Sequence, residues 1–193
     1  MLRRLYDWTL SLAAGRHAPS ALAAVSFVES SFFPIPPDVV LIPMAVAKRD
    51  SAWRFALIAT IASVIGGLFG YFIGAMLFEP VARPILDFYQ YGEAFENFQR
   101  TFAEWGLLIV FLAGFTPFPF KVITIASGLA GLSLPIFVLA SIVSRGGRFF
   151  LVAALLYFFG PPVKAFIEKR LGLMTAIFGV LLVGGFIAVK FVL

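Results

Sequence analysis

The stretch FPIPPD (residues 33–38) lies inside an otherwise apolar part of the chain, and TPFPFK (residues 116–121) repeats its pattern. Each stretch contains Pro-x-Pro and ends in a charged residue, Asp38 or Lys121. Proline removes a backbone N–H and clashes with the preceding helical turn. Because unpaired backbone groups are costly in hydrocarbon, a broken backbone persists there only when protein buries it or it lines a cavity. The two stretches therefore predict two broken hairpins that face one polar site, with the breaks at Pro34, Pro36, Pro37, Pro117 and Pro119.

The composition indicates an integral membrane protein. Of its 193 residues, 61% are hydrophobic and only 13% are charged, whereas a soluble domain is about half apolar and about a quarter charged. The chain has no cysteine and one histidine, His17, which excludes disulfide and thiol chemistry and a histidine metal site. We therefore expect no cofactor and no metal. The net charge of +5 comes from basic residues beside apolar runs, which the positive-inside rule explains better than nucleic-acid binding does.

Five segments make up one predicted membrane domain. Residues 55–78 carry no charge, and about 20 apolar residues suffice to cross the hydrocarbon core. Residues 134–160 form a second apolar run, and a basic turn is expected at 161–170. Aromatic residues three and four apart within 80–105 predict an amphipathic helix, with Gly92 as a candidate interruption. The segments are an N-terminal amphipathic helix (1–18), repeat one (19–79), an amphipathic connector (80–105), repeat two (106–160) and a last transmembrane helix (171–192).

The two halves of the chain resemble each other. Shifting the sequence by 83 residues aligns Pro34 with Pro117, Pro36 with Pro119 and Asp38 with Lys121. Interrupted apolar segments at matching positions indicate a transporter whose site lies at the repeat interface. The predicted fold is thus an all-α integral membrane protein, an inverted repeat of two re-entrant broken hairpins, each followed by a transmembrane helix. Its amphipathic helices and C-terminal transmembrane helix complete the fold. The more basic face is expected to be cytoplasmic and carries Arg3, Arg4, Arg16, Lys48, Arg49, Arg54, Lys164, Lys169 and Arg170.

Five ionisable residues fall at predicted membrane depth, where such groups are rare and mark functional sites. Arg145 and Arg148 share one helix face, and two guanidiniums can hold a phosphate through paired hydrogen bonds. They are candidate substrate-binding residues together with Lys121, which snorkelling to the surface would also explain. Glu29 and Asp38 are candidates for proton coupling or counter-charge. The alternatives are a structural network that pairs these acids with the arginines, and an Asp38 that only caps a helix.

The stretches FVESSFFPIPPD (residues 27–38) and GFTPFPFK (residues 114–121), followed by ASG (residues 126–128), resemble the DedA family. This family is also called the SNARE-associated or VTT-domain family, and the likeness is closest to its YqaA-like branch. The resemblance implies two re-entrant hairpins in an inverted arrangement, movement of lipids across bilayers, and an essential acidic pair at Glu29 and Asp38. Many members carry arginines around the second hairpin's proline, where this chain has Gly114 and Lys121, so Arg145 and Arg148 are the candidates to supply that charge.

The predicted function is therefore a flippase-like or scramblase-like transporter of an anionic-headed lipid, such as polyprenyl phosphate or a phospholipid. It is expected to be no enzyme, because the chain lacks a convincing base and nucleophile set. A proton-coupled ion or small-solute exchanger and a non-transport membrane assembly protein are the alternatives. The expected partners are a membrane lipid and coupled protons, with no nucleic acid, and a homo-oligomer is compatible with the sequence. The expected location is the plasma (bacterial inner) membrane with a cytoplasmic N-terminus.

Overall fold

The computed structural model of the protein describes residues 17–31, 36–116 and 118–169. Throughout these ranges the regular structure is helical and no strand occurs. Several predicted features lie outside the described residues. They are residues 1–16 of the N-terminal amphipathic helix, the last transmembrane helix at 171–192, and the breaking prolines Pro34 and Pro117.

Both proline stretches separate two helices. The helices are α1 (Ala18–Ser31), α2 (Asp38–Ala47), α3 (Ala52–Leu77), α4 (Arg83–Tyr89), α5 (Gly92–Phe115), α6 (Phe120–Leu129) and α7 (Leu134–Lys169). A 3₁₀ turn (Arg49–Ser51) precedes α3, and a π-helical turn (Phe78–Ala82) follows it. Helices α2 and α6 begin directly after Pro37 and Pro119, as expected of a residue that fits a helix start but not its interior. We call α1 with α2 the first broken segment, and α5 with α6 the second.

Two helical stretches are long and apolar enough to cross a membrane, judged by length and composition. They are Arg49–Tyr89 and Leu134–Gly160, in which an 18-residue window reaches a mean hydropathy of 2.0 and 1.7, respectively. The outer face of α3 exposes large apolar side chains three or four residues apart, namely Leu57, Ile61, Ile65, Phe69, Phe72 and Met76. Such faces are compatible with contact to lipid tails rather than water.

The buried apolar residues form two clusters at opposite ends of α3 and α7. The first cluster joins Ala18 and Ala45, which lie near the outer ends of the first broken segment, to the start of α3 and to Phe149. The second cluster joins Phe102 in the middle of α5, Ala113 and Phe120 on either side of the second interruption, and Ala130 just after α6 to Phe137 at the start of α7. The first broken segment therefore has both of its outer ends in one cluster, whereas the second contributes the middle and inner end of α5 and both ends of α6.

Glycines allow the helices to approach closely around α3. A Cβ atom at Gly128 of α6 would stand 1.9 Å from the Tyr71 carbonyl oxygen, and one at Gly74 of α3 would stand 2.0 Å from the Ile125 carbonyl oxygen. A Cβ at Gly66 would likewise stand 2.2 Å from the Phe27 carbonyl oxygen of α1. Small residues that bring helix backbones together are typical of helix packing in membranes.

The structure differs from the sequence-based expectation in two places. The candidate interruption at Gly92 in the connector at 80–105 occurs two residues earlier, where Gln90 adopts a left-handed conformation (φ 56°) that separates α4 from α5. Helix α5 then runs without a break to Phe115. The predicted basic turn at 161–170 is wrong for residues 161–169, which continue α7 beyond a bend at Phe159. Pro161 and Pro162 are compatible with this, because proline is tolerated in the first turn of a new helical stretch.

Candidate functional site

The structure brings four of the predicted site residues together between the two apolar clusters. Glu29 lies in the last turn of α1, and Asp38 is the first residue of α2. Arg145 and Arg148 lie about one turn apart in the middle of α7. Pro37 occupies the N-cap position of α2 and Asp38 is the first helical residue, so Asp38 is not the capping residue. The Asp38 side chain pairs with an arginine instead.

Arg145 forms the inner ion pair, with Glu29. The distance from an Arg145 terminal nitrogen to Glu29 Oε2 is 2.7 Å, and the two side chains are only 2% and 11% exposed. Arg145 Nε donates to Ser63 Oγ at 2.6 Å, and the Ser63 and Ser30 hydroxyls share a hydrogen bond of 2.6 Å. Ser30 Oγ donates to Glu29 Oε2 at 3.2 Å. The hydroxyls thus close a ring with the ion pair, so that each charge has further hydrogen bonds, as a buried pair requires.

Two aromatic rings flank the Arg145 guanidinium. Its central carbon lies 5.0 Å from the ring centroid of Phe120 and 4.7 Å from that of Phe149. A desolvated guanidinium over aromatic faces is stabilised by cation–π attraction. Phe120 is the first residue of α6, so the second broken segment also contributes to the inner pair.

Arg148 forms the outer ion pair, with Asp38. One terminal nitrogen of Arg148 donates to Asp38 Oδ2, and the two side chains are 17% and 15% exposed. The other terminal nitrogen donates to the Thr116 carbonyl oxygen at 2.6 Å. Asp38 starts the second helix of the first broken segment, and Thr116 follows the last residue of α5 in the second. A single guanidinium therefore connects the interruptions of both broken segments.

The positive and negative charges of this site balance, and a guanidinium can bind another oxyanion in place of its carboxylate. Two guanidiniums face two carboxylates, so removing any one of the four leaves an uncompensated charge away from water, which is costly. A guanidinium binds carboxylate and phosphate oxygens with the same paired N–H geometry. The outer pair is also the more exposed of the two. The arrangement can therefore exchange a carboxylate for another oxyanion at Arg148 first.

Lys121 is not joined to this network. It is half-buried in the first turn of α6 and forms no ion pair within the ranges that the structure describes. The hydroxyl of Thr124 donates to the Lys121 backbone carbonyl, at 2.9 Å, and to that of Ser30 in α1. The structure thus links this part of α6 to the first broken segment through Thr124, whereas the Lys121 charge stands without an ionic partner among the described side chains.

The site predicted from the sequence did not include the hydroxyls and aromatic rings that complete it. Ser30 and Ser63 are polar residues inside apolar helices, a signal that points to inter-helix hydrogen bonds. Ser26 and Ser141 carry the same signal. Both are fully buried, and their hydroxyls have no hydrogen-bond partner among the described residues. They precede Glu29 and Arg145 by about one helical turn, so two hydroxyls close to the ion pair remain able to bind another polar group.

The described ranges contain no cluster of three or more His, Asp or Glu side chains that could hold a metal ion. The ionisable groups at the site are paired carboxylates and guanidiniums. Guanidiniums bind carboxylate and phosphate oxygens alike, so oxyanion binding is chemistry that these side chains can perform.

Comparisons with known proteins give a consistent family. A family model of the VTT domain matches residues 35–158, well over half of the chain. A protein from Haemophilus influenzae, described as uncharacterized, is 42% identical over 167 residues, which is 86% of each chain. A protein of the same description from Histophilus somni is 40% identical over 167 residues, 86% of this chain and 87% of its own. One from Methanocaldococcus jannaschii is 29% identical over 122 residues, 63% of this chain and 72% of its own. No solved structure matches the chain.

Proposed function

We propose that this protein, which belongs to the VTT-domain (DedA) family of membrane proteins, translocates lipids with an anionic headgroup. The observation that carries the proposal is the position of Arg148. Its guanidinium binds Asp38 from the first broken segment and the Thr116 carbonyl from the second. A guanidinium that lies where the two broken segments meet is placed to bind the phosphate of a headgroup that passes between them.

Two re-entrant hairpins form the proposed framework. In support, both outer ends of the first broken segment belong to one apolar cluster, and the second cluster, which includes Ala130 just after α6, lies at the opposite ends of α3 and α7. The packing of the helices has matching halves. Helix α1 packs mainly on α3 and α5 on α7, whereas α2 packs mainly on α7 and α6 on α3. In both halves the first helix of the broken segment packs on the long helix of its own half, and the second packs on the long helix of the other half. An inverted repeat predicts such matching contacts.

The proposed location is the bacterial inner membrane, with the N-terminal side of α1 facing the cytoplasm. Lys48, Arg49 and Arg54 are exposed next to the first apolar cluster, and the positive-inside rule puts such residues on the cytoplasmic side. Trp53 lies in the same region with its ring 5.8 Å from that of Tyr157. Tryptophan and tyrosine are enriched where a membrane meets water.

The proposed mechanism is an exchange of anions. A phosphate of the headgroup replaces Asp38 at Arg148, because that pair is the more exposed one, while the lipid tails stay in the bilayer along the apolar outer faces. The polar groups of the site, including the unpaired hydroxyls of Ser26 and Ser141, reduce the cost of taking the headgroup out of water. Lys121 is not joined to the network and has no ionic partner among the described residues, and it is proposed as a third cation for the headgroup. Coupling to protons at Glu29 and Asp38 is the remaining part of the proposal, and the pH gradient in the experiment below tests it.

The test is lipid translocation by purified protein in liposomes. Fluorescent or radiolabelled polyprenyl phosphate and anionic phospholipid are compared with phosphatidylcholine and with a neutral lipid, with and without a pH gradient. Wild type is expected to move the anionic lipids selectively. Arg148→Ala is expected to slow this movement by about tenfold to a hundredfold, since hydrogen bonds to charged groups are worth about 1.5–3 kcal/mol.

The matched control is Arg83→Ala. Arg83 pairs with Glu79 on the surface, where the two side chains are 59% and 66% exposed, so its loss is expected to leave translocation unchanged. Equal movement by wild type and Arg148→Ala would contradict the proposal. Transport of small phosphate compounds without dependence on the tail would favour the solute exchanger, and no transport by folded protein would favour a structural role.

A further inference from the structure

Helix α7 bends close to a pair of prolines. Phe159 has non-helical backbone angles (φ −116°, ψ 18°), and Pro161 and Pro162 follow it. In a regular α-helix each N–H donates to the carbonyl four residues earlier. Residues 161 and 162 would thus donate to the carbonyls of Tyr157 and Phe158, but proline has no N–H to donate. The sequence of the bend leaves those two carbonyl oxygens without helical donors.

Arg49 donates to the same two carbonyls. Its Nε donates to the Tyr157 carbonyl oxygen, and a terminal nitrogen donates to the Phe158 carbonyl oxygen at 3.2 Å. The guanidinium carbon lies 5.3 Å from the ring centroid of Tyr157. Arg49 itself is distant in sequence, in the 3₁₀ turn between α2 and α3.

We propose that Arg49 is a positioning residue whose guanidinium replaces the two backbone donors that Pro161 and Pro162 lack, and that it thereby holds α7 in its bent form. A planar guanidinium offers donors in a fixed fork, whereas an ammonium is a point charge without that geometry. A cation at carbonyls without helical donors is also favoured by the helix dipole. The inference does not depend on what the protein transports.

The contact has a consequence for the site. The turn that holds Arg49 directly follows α2, which begins at Asp38, and α7 carries Arg148 on the same helix as the bend. Arg49 therefore joins the two helices of the outer ion pair at a second point, on the side of the first apolar cluster. Without Arg49, the bend angle of α7 at Phe159 and the position of α2 along α7 are expected to vary more widely.

The test is a mutant cycle read by thermal unfolding and by spin-label distances. The chain has no cysteine, so Leu151→Cys and Glu168→Cys give one label on each side of the bend. A straight helix would place these Cα atoms about 25 Å apart. Arg49→Ala is compared with Arg49→Lys, with Arg54→Ala as the exposed basic control, and with the same changes in a Pro161→Ala/Pro162→Ala background. That background restores both N–H donors.

Arg49→Ala is expected to broaden the distance distribution and to lower Tm by about 2–4 °C, as the loss of about 1 kcal/mol does in a chain of this size. Arg49→Lys is expected to recover only part of this loss, and Arg54→Ala to change neither readout. In the Pro161→Ala/Pro162→Ala background, Arg49→Ala is expected to have no further effect on either readout. An equal effect of Arg49→Ala in both backgrounds would overturn the proposal, as would an unchanged distance distribution in the single variant.

Discussion

Replacing Arg145 with methionine is expected to lower the free energy of unfolding by about 3–5 kcal/mol, because it leaves a charge buried without its partner. Glu29 is only 11% exposed at its side chain and would keep a single hydrogen bond, from Ser30, within the described network. Methionine fills similar space between Phe120 and Phe149, so the expected loss comes from the charge and not from a cavity. Unfolding of the purified protein in detergent or lipid measures the effect.

The double variant Glu29→Leu/Arg145→Met is the matched control. Replacing both members of a buried ion pair by apolar residues is often neutral or stabilising, and the Ser30 and Ser63 hydroxyls can still pair with each other. The double variant is therefore expected to regain most of the lost stability. A single variant that costs less than about 1 kcal/mol, or a double variant as unstable as the single one, would contradict the account of the inner pair.

Gly128→Ala is expected to destabilise the protein by about 3 kcal/mol or more, at the upper end for overpacking. The new Cβ would stand 1.9 Å from the Tyr71 carbonyl oxygen and 2.8 Å from the Ala75 backbone nitrogen. These are backbone atoms inside α3, so no side-chain rotation can relieve the contact. Helix α6 would have to move away from α3 and would take Phe120 and its contact with Arg145 along.

Gly92→Ala is the control for this change. Gly92 begins α5, and an added Cβ would meet nothing within 4 Å among the atoms that the structure describes. Alanine is also the better helix former, by about 0.8–1 kcal/mol. Thermal unfolding is expected to show an unchanged or slightly raised Tm for Gly92→Ala and a large loss for Gly128→Ala. Similar Tm values for the two variants would show that the close approach of α3 and α6 is not needed for stability.

The interruptions of the fold could be predicted from the sequence because they are local. Proline limits its own backbone and that of its neighbours wherever it occurs, so breaks near Pro36, Pro37 and Pro119 required no knowledge of the tertiary structure. The family was also recognisable from these stretches, and the match of a VTT-domain model confirms it. By contrast, the continuity of α5 across residues 105 and 106 depends on its packing, with Gly106 against Leu132, and composition does not show this.

The candidate charges and a pairing of the acids with the arginines could be predicted, but not which acid pairs with which arginine. Ionisable residues in apolar helices are rare enough to single out Glu29, Asp38, Arg145 and Arg148. Which carboxylate meets which guanidinium depends on the rotation of α7 relative to α1 and α2, which more than a hundred residues separate in sequence. The Thr116 acceptor is a backbone carbonyl, which no pattern of side chains marks.

The contact of Arg49 with the bend illustrates the same limit. The sequence shows that Pro161 and Pro162 leave two carbonyls without donors, yet it gives no sign that the replacement comes from a turn more than a hundred residues earlier. Ser30 and Ser63 are similar, since each is visible as a polar residue in an apolar helix but their contact is tertiary. Local rules predicted the elements, and packing decided which elements meet.

Exchange of Asp38 for a phosphate headgroup at Arg148 is the central claim, and the most direct test is binding of a short-chain lipid phosphate to purified wild type and Asp38→Asn. Asparagine keeps the shape of the side chain but removes the charge that competes for Arg148. The account predicts about tenfold tighter binding by Asp38→Asn, which corresponds to about 1.4 kcal/mol, and loss of binding in Arg148→Ala. Equal or weaker binding by folded Asp38→Asn would contradict it.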